Sequence, residues 1–336
     1  MSAYRPLVYC ATLLAFLVIV AGAYVRLEDA GLGCPDWPGC YGQLIGVPDE
    51  AHEMARAERA FPGRAVDAAR AWKEMFHRYL AGTLGLLVLS IAVSAWRARG
   101  RTGRPPWLAT SVLAVIALQA SLGMWTVTML LKPAVVTLHL LGGMTTLALL
   151  TWLALRELDL PPPPAAAARA FRPWLAAGLA ILFCQIALGG WVSANYAALA
   201  CADFPTCHGR WLPGMDFRDA FHVLRELGMT AEGSPLTQEA LNAIHWSHRI
   251  GALITFAYLC FVGLRALRIP TLRFMGAALL ALVLAQAGLG IANVLLRLPL
   301  VVAAAHNAGA ALLLAVLVVL NFTVSNRSQS PRVAAA

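Results

Sequence analysis

The chain has 336 residues, 60% of them hydrophobic and 13% charged, with a formal net charge of +9. Soluble domains are about 45–50% apolar and about 25% charged, so this composition cannot cover a water-facing surface of that size. Seven cysteines are too sparse for a disulfide scaffold, and the hydrophobicity is the reverse of a disordered chain's. A polytopic membrane protein remains. In such a protein arginines collect on cytoplasmic loops, so the basic excess gives no reason to expect a nucleic-acid partner.

A spanning helix needs roughly 20 mostly apolar residues. Eight stretches qualify, at 7–25, 76–96, 107–131, 134–155, 171–194, 244–264, 274–296 and 300–322. The expected fold is an all-α integral membrane protein of eight transmembrane helices. The first span, with Arg5 and the small residues Ala21 and Ala23, has features of a cleavable signal. It is expected to stay, because the repeat described below needs it. Lys132 and Pro133 split the third and fourth spans, and Arg297, Leu298 and Pro299 split the seventh and eighth. Both splits predict tight helical hairpins, since proline starts a helix and does not continue one.

Basic density sets the orientation. Arg97, Arg99, Arg101 and Arg104, then Arg156, Arg169 and Arg172, then Arg265, Arg268 and Arg273 fill three short linkers. With Arg5, Arg327 and Arg332 they place both termini on the cytoplasmic side. Two long loops, about 27–73 and 195–243, then lie outside. Prolines 161–164 and the four alanines after them read as a semi-rigid spacer.

The two halves match at an offset of 167. Cys34 and Cys40 map onto Cys201 and Cys207, Gln119 and Gly123 onto Gln286 and Gly290, His139 onto His306, and Gly22 onto Gly189. His77 and Arg78 map onto His248 and Arg249 at an offset of 171. Four spans per half give both halves one topology, a parallel repeat about an axis along the membrane normal. The expected architecture is two parallel-repeat four-helix bundles, residues 1–160 and 161–336.

Each cysteine pair is six apart across a proline turn on the outer face, where a bacterial inner membrane meets an oxidising compartment. Two intraloop disulfides, Cys34 with Cys40 and Cys201 with Cys207, are expected, with thiol redox chemistry as the alternative. Cys10, Cys184 and Cys260 lie within spans without repeat mates and read as plain apolar side chains.

Of eight histidines, four obey the repeat: His77, His139, His248 and His306, all near the outer ends of their helices. His139, five residues past Ala134, lies about 7–8 Å into its span at 1.5 Å per residue. Two histidines per half can thus face one another at similar depth. Ionisable groups inside a membrane are costly and usually functional. Facing imidazoles are the standard way to hold haem iron from both sides. His52, His208 and His222 read as surface residues of the outer loops.

The repeat breaks at one position beside these ligands. Glu74 precedes His77 by three residues, where His245 precedes His248. Glu74 reads either as a carboxylate serving that site or as an exposed interfacial residue. Arg78 and Arg249 read as partners for haem propionates or as snorkelling arginines.

Eight spans in two halves, Glu74-x-x-His77-Arg78, His248-Arg249, His139, His306 and a cysteine pair in each outer loop resemble the haem A synthase family, over roughly residues 5 to 322. The resemblance implies an oxidoreductase that converts haem O to haem A, oxidising the C8 methyl to a formyl group. Two successive hydroxylations give a gem-diol, which loses water. It implies a resident haem b on His248 and His306, near Arg249, in the C-terminal half. It implies a substrate haem on His77 and His139, near Arg78, in the N-terminal half, with Glu74 as the catalytic carboxylate. The prenyltransferase that makes haem O becomes a partner, alongside membrane lipid and an electron-transfer partner that these residues do not identify. Haem A would go to terminal oxidases. A homo-oligomer is compatible with the sequence. The competing classes are a non-enzymatic di-haem b cytochrome fed by quinol, which does not explain Glu74 against His245, and a haem exporter, which would need no tightly held cofactor.

Overall fold

A computed structural model describes residues 4–102, 106–158 and 160–325. Eight long helices are apolar enough to cross a membrane: α1 (Tyr4–Leu27), α3 (Ala68–Thr102), α4 (Trp107–Thr128), α5 (Pro133–Leu155), α6 (Ala165–Ala194), α8 (Gln238–Leu267), α9 (Arg273–Leu295) and α10 (Leu300–Ser325). Two shorter helices, α2 (Ala51–Ala60) and α7 (Phe217–Ala220), lie in the long loops. The described residues contain no strand. All eight expected spans are present, and the chain is a multi-pass membrane protein. Arg104, Arg327 and Arg332, part of the basis for orientation, lie outside the described residues.

Helix contacts run α1 to α3, α3 to α4, α4 to α5 and α5 back to α1; likewise α6 to α8, α8 to α9, α9 to α10 and α10 back to α6. Between these two rings, α5 and α1 meet α10, and α5 meets α6. One apolar cluster threads both rings through Leu147, Leu150, Leu175, Leu314 and Leu317. The outward faces carry Leu13, Leu86, Leu253 and Val301, large apolar side chains suited to lipid.

The sequence offset is visible in the backbone. Leu130 and Leu131 end the α4–α5 hairpin with two left-handed residues, and Arg297 and Leu298 repeat this between α9 and α10. These residues stop α4 at Thr128, three short of the span read from hydrophobicity. Pro133 then opens α5. The Arg26 side chain donates to the Ser193 carbonyl at 2.9 Å, and the Tyr196 hydroxyl donates to Asp29 at 3.0 Å. Each contact joins residues 167 apart in the chain, the offset read from the sequence.

One expectation changes. The four alanines after Pro164 are the first turn of α6 rather than a spacer. Alanine is the best helix former, and Pro164 sits at the N-cap where its missing N–H costs nothing.

Candidate functional site

The four repeat-related histidines lie on α3, α5, α8 and α10, and each ring is seated on a glycine of the helix before it. A Cβ at Gly22 of α1 would lie 2.9 Å from His77 Cε1, and one at Gly123 of α4 would lie 3.3 Å from His139 Cε1. In the second half, Gly189 of α6 and Gly290 of α9 stand in the same relation to His248 and His306, each at 3.1 Å. Only glycine lets an imidazole edge approach a helix backbone this closely. His77 and His139 stand on opposed helices of one ring of four, and His248 and His306 on opposed helices of the other. The structure therefore brings together the pairs read from the sequence.

The donor set fits a haem. Each half offers imidazoles from two helices, and buried Nδ1 atoms of His77, His139 and His306 have no hydrogen-bond partner among the described residues. With Nδ1 unbonded to protein, each of these imidazoles is free to bond a further group.

Three glutamines escaped notice as site residues. Gln119 Nε2 donates to the His139 carbonyl at 2.9 Å and Gln286 Nε2 to the His306 carbonyl at 2.9 Å. Gln185 Nε2 donates to the His248 carbonyl at 3.1 Å and lies 3.0 Å from His248 Nδ1. The signal was present in the sequence, because each glutamine precedes its seating glycine by four residues, one helical turn.

The two cysteine loops stand over the histidine-bearing helices as two copies of one motif. Cys34 is bonded to Cys40 and Cys201 to Cys207, as expected. Cys10, Cys184 and Cys260 are free thiols. Asp36 accepts from the N–H groups of Tyr41 (2.6 Å) and Gly42 (2.8 Å), and Asp203 from those of His208 (2.6 Å) and Gly209 (2.9 Å). Tyr41 and His208 are both left-handed, which lets two successive N–H groups turn toward one carboxylate. The Thr206 hydroxyl at 2.5 Å, with these N–H groups, holds the Asp203 carboxyl below the usual carboxylate range.

Glu74 is buried, 5% exposed, so the exposed interfacial reading of it is set aside. One carboxylate oxygen accepts from the Cys34 N–H at 2.9 Å, and the other is paired with Arg78. His245, 4% exposed, fills the equivalent position, its Nδ1 accepting from the Cys201 N–H at 3.3 Å. Both residues fasten a cysteine loop to a helix, one with a carboxyl group and one with an imidazole.

Arg78 and Arg249, read from the sequence as propionate partners, are engaged by the loops. Arg78 donates to the carbonyls of Asp36 (3.0 Å) and Gly39 (2.5 Å). Arg249 donates to those of Thr206, Cys201 and Asp203, each at 2.8 Å. Their observed work is to pin the loops over the histidine-bearing helices.

The family described as cytochrome oxidase assembly protein (COX15-CtaA) matches residues 5–318. A haem A synthase of Shewanella oneidensis is 44% identical over 319 residues, 94% of this chain and 94% of that protein. Haem A synthases of Caulobacter vibrioides and Bacillus licheniformis are 27% and 26% identical, each spanning at least 90% of both chains. Two histidine pairs on glycine seats, capped by two disulfide loops, thus occur in a chain that belongs to the COX15-CtaA family of cytochrome oxidase assembly proteins.

Proposed function

We propose that the chain is a haem A synthase, an integral-membrane oxidoreductase that oxidises the C8 methyl of haem O to a formyl group. The observation that carries this is the pairing of glycine-seated histidines in both halves with a buried carboxylate, Glu74, in only one of them. A carrier of two equivalent haems needs no such difference.

The halves divide the work. In the C-terminal half, residues 161–336, His248 and His306 would hold a haem b, which would supply electron transfer when bound. In the N-terminal half, residues 1–160, His77 and His139 would hold substrate haem O. Helices bounded by lipid leave its farnesyl tail an apolar path. Arg78 and Arg249 hold the cysteine loops closed over the outer ends, which excludes water. Glu74 is the candidate for accepting a proton as the methyl is oxidised. Haem O arrives from the membrane prenyltransferase that makes it, and haem A leaves for terminal oxidases. Both termini lie in the cytoplasm of a bacterial cell, with the disulfide loops outside the inner membrane.

Glu74→Ala tests the division, with haem b content and haem A yield measured in parallel. The expected result is retained haem b and little or no haem A. A normal yield removes Glu74 from the reaction, and loss of haem b means that the halves are assigned the wrong way round.

A further inference from the structure

Three of the four candidate ligands are held by the same device. Gln119, Gln185 and Gln286 donate to the backbone carbonyls of His139, His248 and His306. Three residues past each histidine stands a glycine: Gly142, Gly251 and Gly309. A Cβ at any of them would collide with the glutamine's Oε1, so a side chain there would push the glutamine off. Gln-x-x-x-Gly on one helix thus faces His-x-x-Gly on the next. The hydrogen bond crosses the helix interface and ties the histidine's own turn to its neighbour. The three glutamines are half-buried, and each bonds the same kind of backbone atom at the same kind of place through Nε2, while its Oε1 has no hydrogen-bond partner among the described residues.

The fourth case breaks both halves of the device. Four residues before Gly22 stands Val18, and three residues past His77 stands Leu80. Neither side chain can bond the His77 carbonyl. His77 keeps its glycine seat without a clamp.

We propose that Gln119, Gln185 and Gln286 are positioning residues, and that His77 is the exchangeable ligand through which a haem enters and leaves the N-terminal half. This rests on the assignment of that half to the substrate. A permanent cofactor needs both axial histidines fixed, and both histidines of the C-terminal half are clamped. A substrate needs one fixed ligand to set its orientation and one that yields, and the N-terminal half has one of each. Gln185 Nε2 also lies 3.0 Å from His248 Nδ1, so this glutamine reaches both the backbone and the ring of its histidine.

A reciprocal exchange in the full-length protein tests this. Val18→Gln with Leu80→Gly grafts the clamp onto His77, and Gln185→Val with Gly251→Leu removes it from His248. Bound haems are extracted and typed, and first-order haem loss to excess apomyoglobin is timed. One hydrogen bond corresponds to about a fivefold change. The graft is expected to slow loss of O- or A-type haem about fivefold and to lower haem A yield, with haem b unchanged. The removal is expected to speed loss of haem b about fivefold and leave O- and A-type haem alone. Unchanged loss rates in a graft with wild-type helical content overturn the clamp and leave the assignment of halves standing. Extra b-type haem in the graft overturns that assignment, and the proposal with it. Should the graft fail to fold, the removal decides alone: haem b lost at the wild-type rate overturns the proposal.

Discussion

Gly290→Ala and Gly288→Ala form a matched pair on one helix. Each replacement gains about 1 kcal/mol of helix propensity. At Gly288 nothing lies within 4 Å of the new methyl, whereas at Gly290 it would lie 3.1 Å from His306 Cε1. The imidazole must then give by a few tenths of an ångström. Overpacking of this kind costs about 1–3 kcal/mol, so the net penalty at Gly290 is about 0–2 kcal/mol and falls on the ring proposed as a haem ligand. Haem b retention should weaken by up to about thirtyfold, with a visible and EPR spectrum shifted from the wild-type low-spin form. Gly288→Ala should keep full haem b and an equal or slightly higher thermal midpoint. Purified protein, haem per chain and the two spectra suffice to check this. Equal haem content and identical spectra in the two variants would refute the idea that the glycine seat sets the ligand's position.

Non-reduced peptide mapping should recover Cys34 joined to Cys40 and Cys201 joined to Cys207; opening either small ring by Cys→Ser at both ends should cost about 2 kcal/mol, read as a lower thermal midpoint, and a Cys34 to Cys207 link would contradict the repeat. Asp203 has its carboxyl held below its ordinary value by the Thr206 hydroxyl and loop N–H groups, so its contribution is fully present above the unfolded value and is lost as pH falls through the folded one. The thermal-midpoint gap between wild type and Asp203→Ala should therefore hold from pH 8 to 5 and narrow only below about pH 4; a gap that closes near neutral pH would rule this out. Glu74→Gln keeps an oxygen to accept the Cys34 N–H but no charge. It should lower the thermal midpoint by removing the Arg78 ion pair, keep haem b and make almost no haem A, and a wild-type yield would reduce Glu74 to a loop anchor.

Much of the fold could be read from hydrophobic runs, because a bilayer dictates helix and length together. Helix ends were less legible. The span read at 76–96 lies inside a helix running Ala68–Thr102, since the polar turns carrying Lys73 and Glu74 continue α3 beyond the apolar stretch. Repeat matching found His77, His139, His248, His306 and both cysteine pairs. It did not reveal what Glu74 and His245 touch, because contact with a loop some 40 residues earlier in the chain leaves no periodic trace. The same limit explains Arg78 and Arg249, whose carbonyl partners belong to backbone and have no residue-type signature. Gln185 was missed for another reason. Its repeat mate is Val18, so a search for positions shared by both halves passes over it.

The central claim is that the two histidine pairs hold different haems, a resident haem b on His248 and His306 and an exchanging substrate on His77 and His139. Typing the haems extracted from purified His306→Ala beside wild type tests it most directly. Wild type should yield about one haem b per chain with lesser O- or A-type haem, and His306→Ala should lose the haem b and its low-spin spectrum. Two haems b per chain in wild type, or an unchanged low-spin haem b in His306→Ala, would contradict the account.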